Sequence, residues 1–295
     1  MPQAPIQNVS DTAFMVAMYR AKEGERPDAL FKDPLSLKLA GERGREIVTG
    51  LWGSNWAGAR QARIMIWHLA LRTHVIDQLI TTAIERGATA ILNLGAGLDT
   101  RPYRMAVPNT VRWIEVDYPH VIELKESVLS GEHPQCQLER IKLDLTNRAA
   151  RLQLFTAINE RYSSVLVLTE GVVPYLTESD VGMLADDLRA QAAFKQWIVD
   201  YFSRQAMAYR ARSMRAQMQN APFRFDPADY YEFFQQHGWQ PQQTRYLWDE
   251  GVKIGRPMPL PLGATFWLRL LGPFIPRARL DVVRKFVGYV VLEPR

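Results

Sequence analysis

Residues 89–101 read Thr89-Ala90-Ile91-Leu92-Asn93-Leu94-Gly95-Ala96-Gly97-Leu98-Asp99-Thr100-Arg101. The apolar run reads as a buried strand. Two glycines end it, and glycine lets a backbone bend sharply and pass close to a ligand. Plain turns use glycine too, so the surroundings decide. The stretch 111–117 alternates and ends in Asp117. That lies about 20 residues beyond the first glycine, where an acid reaches ribose hydroxyls across a strand–helix–strand unit. A third strand, 137–143, runs into Asp144. Stretches at 164–169 and 196–202 read as strands four and five. Helical periodicity fills 119–129, 148–161 and 177–194, and Thr177 with Asp180 makes a good helix start. This alternation predicts an α/β fold with a mostly parallel sheet. Three adjacent strand ends then form one crevice at its carboxyl edge, suited to a nucleoside.

Upstream, 1–86 reads as a helical cap. Helices are expected at 11–19, at 34–39 behind the Asp33-Pro34 start, and at 59–86, with a loop at 50–58. The core is 87–202. A helical insertion or lid, 203–241, follows strand five. Its helix 204–219 has Met207, Ala211, Met214 and Met218 on one stripe, with Arg204, Arg210, Arg212 and Arg215 elsewhere. Those arginines read as a solvated face or as a landing face for an acidic carrier protein. Asp226-Pro227 starts a helix to about 237. In 242–295, strands at 243–248 and 285–292 bring the sheet to seven. The Pro-rich segment between them, with Phe266, Trp267 and Phe274, reads as an acceptor lid or a cover for the sheet edge.

The chain has 295 residues, 47% hydrophobic and 23% charged. That composition is ordinary for a globular protein and argues against disorder. One cysteine excludes an intramolecular disulfide and a CxxC zinc site. A formal charge of +5 is mildly basic; a nucleic-acid binder concentrates such an excess on one face, which a count cannot show, and no nucleic-acid partner is expected. The charge-free stretch 257–268 is too short and too rich in proline to span a membrane. The first ten residues show no secretory pattern, so the expected address is the cytoplasm.

Thr100 stands where a dinucleotide fingerprint wants its third glycine, and Asp99 would face the pyrophosphate with a like charge. S-adenosylmethionine, without phosphates and with a positive sulfonium, suits the crevice better.

The segment 95–101, with Glu115-Val116-Asp117-Tyr118-Pro119, Leu143-Asp144-Leu145 and Glu170-Gly171-Val172-Val173-Pro174-Tyr175-Leu176, resembles the leucine carboxyl methyltransferase family. It is similar in particular to the bacterial branch of polyketide-tailoring O-methyltransferases. Residues 26–34, Arg72-Thr73 and Gly288-Tyr289 share the likeness. The resemblance implies a Rossmann-like class I methyltransferase fold with S-adenosylmethionine as cofactor. Gly95 and Gly97 would meet the methionine end, with Asp99 in the same turn. Asp117 would take the ribose hydroxyls, and Tyr118, Asp144 and Leu145 the adenine. Glu170 would face the methionine amino group and Arg72 its carboxylate. Arg20 or Lys22 would add a second cation. Tyr175 would point its hydroxyl at the acceptor.

Plainer roles stand beside these. Asp99 can cap the next helix, Arg72 can be a solvated charge, Tyr175 can be a core aromatic, and Arg101 and Arg104 suit structural pairs. Glu170 in an apolar run is harder to explain away, since a buried unpartnered carboxylate is costly. The implied chemistry is in-line displacement of a methyl group by an oxygen. A carboxylate needs no base, whereas a phenol or alcohol benefits from one. None of His68, His74, His120, His133 and His237 makes a strong base candidate, and no metal site is expected. The balance leans to a carboxylate on a small molecule or natural-product intermediate, free or carrier-bound. The rivals are a non-catalytic nucleoside-binding interaction protein and an NAD-dependent oxidoreductase, the latter disfavoured by Thr100.

Overall fold

A computed structural model describes residues 6–52, 56–213, 219–259 and 277–295. Helices α1 (Val9–Gly24), α2 (Pro34–Trp52) and α3 (Trp56–Glu85) come first. The core follows as β1 (Ala90–Leu94), α4 (Arg101–Arg104), β2 (Arg112–Asp117), α5 (Pro119–Val128), β3 (Gln137–Lys142), α6 (Arg148–Arg161), β4 (Val165–Thr169), a 3-10 turn (Val173–Tyr175), α7 (Glu178–Arg189) and β5 (Phe194–Phe202). The chain closes with α8 (Arg204–Ser213), α9 (Tyr230–Gln236), β6 (Trp239–Tyr246), α10 (Leu247–Lys253), α11 (Arg277–Arg284) and β7 (Val287–Pro294).

One seven-stranded sheet runs β3-β2-β1-β4-β5-β7-β6. The first five strands are parallel, and β7 inserts antiparallel between β5 and β6. The chain order reverses between β1 and β4, which opens a crevice beyond their carboxyl ends. Both β1 and β4 are buried along their whole length, as parallel strands covered on two faces must be. On one face α3 lays Val75, Ile76, Leu79 and Ile80 against Ile91, Trp113, Leu166 and Ile198. On the other, Phe155, Ile158, Leu184, Leu188 and Phe234 cover Leu92, Ile114, Val167 and Trp197. Edge strand β3 is polar, with Glu139, Arg140 and Lys142, which discourages further strand pairing.

Several expectations shift. The second helix does not stop at residue 39. Gly41 takes φ 53 and ψ −152, the chain bends there, and the helix resumes with Ile47 and Leu51 buried. The helix after strand five is described to Ser213, so Met214, Arg215 and Met218 lie outside the described residues, as do Phe266, Trp267 and Phe274. Asp229, not Asp226, caps α9, its Oδ1 accepting from Tyr231 N and Glu232 N at 2.9 Å. Strand β6 begins earlier, at Trp239, whose indole N–H donates to Ala185 O at 3.0 Å. Helices α10 and α11 were not expected, and α10 begins at Leu247, where the expected strand runs on to 248. Among the described residues no helix is long and apolar enough to cross a membrane.

Candidate active site

A cavity of about 460 Å³ opens at the carboxyl edge, between the ends of β1, β2, β4 and β5 and the underside of α1 and α3. That is the size of a small-molecule or cofactor pocket. The glycine turn forms its floor. Gly95 takes φ 68, and a Cβ there would stand 2.3 Å from Val172 Cγ2, so the turn can lie against the loop after β4 only without a side chain. Gly97 takes φ 47, and its Cβ would press on Ala13 of α1 at 3.3 Å. The second glycine therefore also lets the cap close on the turn.

Asp117 ends β2 as expected. Its Oδ2 accepts from Gly97 N at 2.6 Å and its Oδ1 from Tyr118 N at 2.7 Å. Burial nevertheless pushes the carboxyl above its usual range, with these two N–H groups opposing. The carboxylate is fixed, lines the cavity and keeps lone pairs for vicinal hydroxyls. Tyr118 and Leu145 flank it at the mouth, where Tyr118 stacks on His120 at 5.6 Å. Asp144 is placed differently. It is exposed and outside the cavity lining, and its Oδ1 accepts from Thr146 N at 2.9 Å and Thr146 Oγ1 at 2.7 Å. The residue after the third strand closes a tight turn, which holds the acid away from the crevice.

At the other end stands an ion-pair ladder. Arg72 of α3 donates through Nε to Glu170 Oε1 at 2.5 Å. Glu170 Oε2 accepts from Arg101 Nη1 at 2.6 Å. Arg101, 1% exposed, also reaches Asp99 Oδ2 at 2.9 Å and Asp77 Oδ1 at 2.7 Å. Arg104 closes the ladder on Asp77. Three guanidinium groups thus face three carboxylates. Burial opposes the charge on Glu170, but Arg101 and Arg72 hold its carboxyl below the usual range. Burial likewise opposes the charge on Asp99, but Arg101, Lys125 and Arg20 with the Arg101 N–H together hold its carboxyl below the usual range. Asp99 serves the fold as well as the cavity wall: it accepts from Arg101 N and Asn93 Nδ2, both at 2.9 Å. Arg72 is partnered within the protein, so any ligand carboxylate would share it with Glu170. Arg20 donates to Leu98 O at 2.5 Å and Asp33 at 2.9 Å, holding α1 over the turn. Lys22 is not among the cavity-lining residues.

Tyr175 lies beside the ladder, edge-on to Phe223 at 4.9 Å. Burial raises its phenol, so the hydroxyl stays protonated and can donate. Three lining residues were not singled out from sequence as site residues. His68 faces the cavity with its imidazole pushed down to about 3 by burial and by the charges of Arg210 and Arg72. Asp200, near the end of β5, accepts from Gly171 N at 2.7 Å, and burial pushes its carboxyl up to about 6. Its signal was the same as that of Asp117, an acid at the carboxyl end of a buried strand. Arg210 of α8 turns into the cavity instead of joining a solvated face.

A glycine cradle, a fixed acid for hydroxyls and a charged far end fit S-adenosylmethionine as the cofactor. The family model for leucine carboxyl methyltransferase matches residues 13–189. A Streptomyces coelicolor protein assigned as an S-adenosyl-L-methionine-dependent methyltransferase is 31% identical over 263 residues, covering 84% of this chain and 88% of that one. A Frankia alni protein with the same assignment is 28% identical over 268 residues, covering 86% and 91%. In fold, the chain is similar to a DUF574 family protein from Streptomyces avermitilis, with 14% identity, a TM-score of 0.53, and coverage of 95% of this chain and 97% of that one. A Thermobifida fusca protein described as a methyltransferase gives the same identity and TM-score, with coverage of 95% and 94%. The sheet order and flanking helices are those of the Rossmann-like methyltransferase fold. Family model and relatives agree, and the chain belongs to the leucine carboxyl methyltransferase family.

Proposed function

We propose that this chain transfers the methyl group of S-adenosylmethionine to an oxygen, and to a carboxylate oxygen before a hydroxyl. The cofactor and the reaction class, methyl transfer, rest on the family and on its relatives. When bound, S-adenosylmethionine supplies an electrophilic methyl group on a sulfonium. The protein's residues do the rest by holding and by excluding water. Asp117 takes the ribose hydroxyls, the glycine turn admits the chain of the cofactor, and Glu170 with Arg72 brackets the methionine ammonium and carboxylate. Helix α1 covers the turn and keeps water out.

The observation that carries the choice of acceptor is His68. Among the described residues it is the imidazole lining the cavity, and at about 3 it is too weak a base to take a proton from a phenol or alcohol at neutral pH. A carboxylate arrives already ionised. The second reading, a phenol, rests on Asp200, whose carboxyl at about 6 could accept a proton. The acceptor is read as a natural-product intermediate, free or borne on a carrier protein, because the glycine turn and residues 170–176 resemble the tailoring branch.

The test is to incubate the protein with methyl-labelled S-adenosylmethionine and a panel of carboxylic acids and phenols. Mild base releases label from a methyl ester as methanol but leaves a methyl ether intact. Base-labile label is the expected result. Stable label throughout would place the reaction on a hydroxyl.

A further inference from the structure

Six arginines line the cavity: Arg20, Arg72, Arg148, Arg151, Arg210 and Arg224. Four are committed to carboxylates, Arg20 to Asp33, Arg72 to Glu170, and Arg148 and Arg151 to Asp187. Among the described residues, Arg210 and Arg224 have no carboxylate within ion-pair distance. Arg210 is half-buried, and its guanidinium lies over the rings of Phe223 at 4.5 Å and Phe202 at 5.1 Å. Stacking holds a guanidinium by its flat face and leaves the N–H donors at its edge unspent. A half-buried cation without an anion is costly. The nearby acid, Asp200, is turned to Gly171 N, and His68 is neutral. Around them the wall is apolar, with Met65, Leu69, Phe202 and Phe223.

We propose that Arg210, with the exposed Arg224 lining the same cavity, selects the methyl acceptor by binding an anionic group on it, the acceptor being an organic anion with an apolar body. The two arginines reach this end of the cavity from different places, Arg210 from α8 and Arg224 from the segment before α9. Arg224 is anchored by its backbone N–H on Pro174 O at 2.7 Å, next to Tyr175. The inference rests on the methyl-transfer reading only for what the bound anion is used for.

The test uses the full chain saturated with S-adenosylhomocysteine, which cannot donate a methyl group. Benzoate, benzyl alcohol and benzylamine serve as probes, with binding read by ligand-observed NMR and calorimetry. Benzoate should bind at least about tenfold more tightly than benzyl alcohol, as expected for hydrogen bonds to a charged partner, and benzylamine most weakly. Arg210→Met should bring benzoate down to the level of the alcohol while S-adenosylhomocysteine affinity stays within about twofold. Arg210→Lys should keep part of the preference. If Arg210→Met fails to fold, Arg210→Gln takes its place. Wild-type protein that binds the acid no better than the alcohol overturns the proposal, and so does a folded Arg210→Met that keeps the preference. A wild-type chain that does not bind S-adenosylhomocysteine instead overturns the methyl-transfer reading, and the benzoate comparison without it still tests Arg210.

Discussion

Arg101 Nη1 lies 2.6 Å from Glu170 Oε2, and both groups are withdrawn from bulk water. The contact ties the helix after the glycine turn to the end of β4, two segments 69 residues apart in sequence. The same Arg101 also holds Asp99 and Asp77. It serves three carboxylates, and no shorter or unforked side chain replaces it.

Removing that guanidinium leaves buried carboxylates short of a partner. Arg101→Met is expected to lose about 3–5 kcal/mol of stability, the range for breaking a buried pair from one side. Denaturant unfolding of the two proteins measures it. A loss under about 1 kcal/mol would mean the ladder is solvated like a surface pair.

Asp117 and Asp144 were alike in sequence and differ in the structure. Asp117→Ala should weaken S-adenosylhomocysteine binding by about 1–3 kcal/mol, the worth of hydrogen bonds to a charged group. Asp144→Ala should change it by less than about 0.5 kcal/mol, as surface changes usually do. Calorimetry on both variants decides, and equal losses would bring Asp144 back into the site.

Arg72 shares its charge with Glu170, so its worth to a ligand shows in the choice of ligand. Arg72→Ala should lose S-adenosylhomocysteine affinity by about tenfold or more, yet bind methylthioadenosine nearly as before, since that ligand lacks the carboxylate. Arg72→Lys should fall between, having lost the planar fork. Equal losses for both ligands would mean that Arg72 supports the cavity wall rather than the carboxylate.

Asp200 sets a pH dependence. Its folded carboxyl, at about 6, still holds a proton where the unfolded chain has lost it, above the ordinary value. Stability from this group is therefore full at low pH, falls as pH rises through that window, and stays reduced above it. Asp200→Asn should gain about 3 kcal/mol at neutral pH and little below pH ~4, by the same linkage. Unfolding curves at the two pH values check the difference, and a gain equal at both would show the carboxylate is not penalised by burial.

The five core strands and their helices were legible because apolar runs and alternation report burial directly. The cap was less so. Gly41 reads as a stop, but here it bends a helix that continues, because Ile47 and Leu51 still find a buried face against α1 and α3. In the site, the glycines and Asp117 carried a spacing signal. Asp144 carried the same signal and turned outward, because Thr146 offered a local partner two residues on. Arg101 and Arg104 read as structural pairs, and they are. Arg210 was diluted among neighbouring arginines; only packing on Phe202 and Phe223 sets it apart.

Helix α3 contributes both Arg72 and Asp77 to the ladder, one charge of each sign. The cap is thus electrically neutral toward the core at this seam, yet keyed to it at two points one helical turn and a half apart. Losing Arg72 would leave Glu170 short of a partner, and losing Asp77 would leave Arg101 and Arg104 short of one. A helix transplanted into this place therefore has to bring an arginine and an aspartate at these two positions, whatever else it changes.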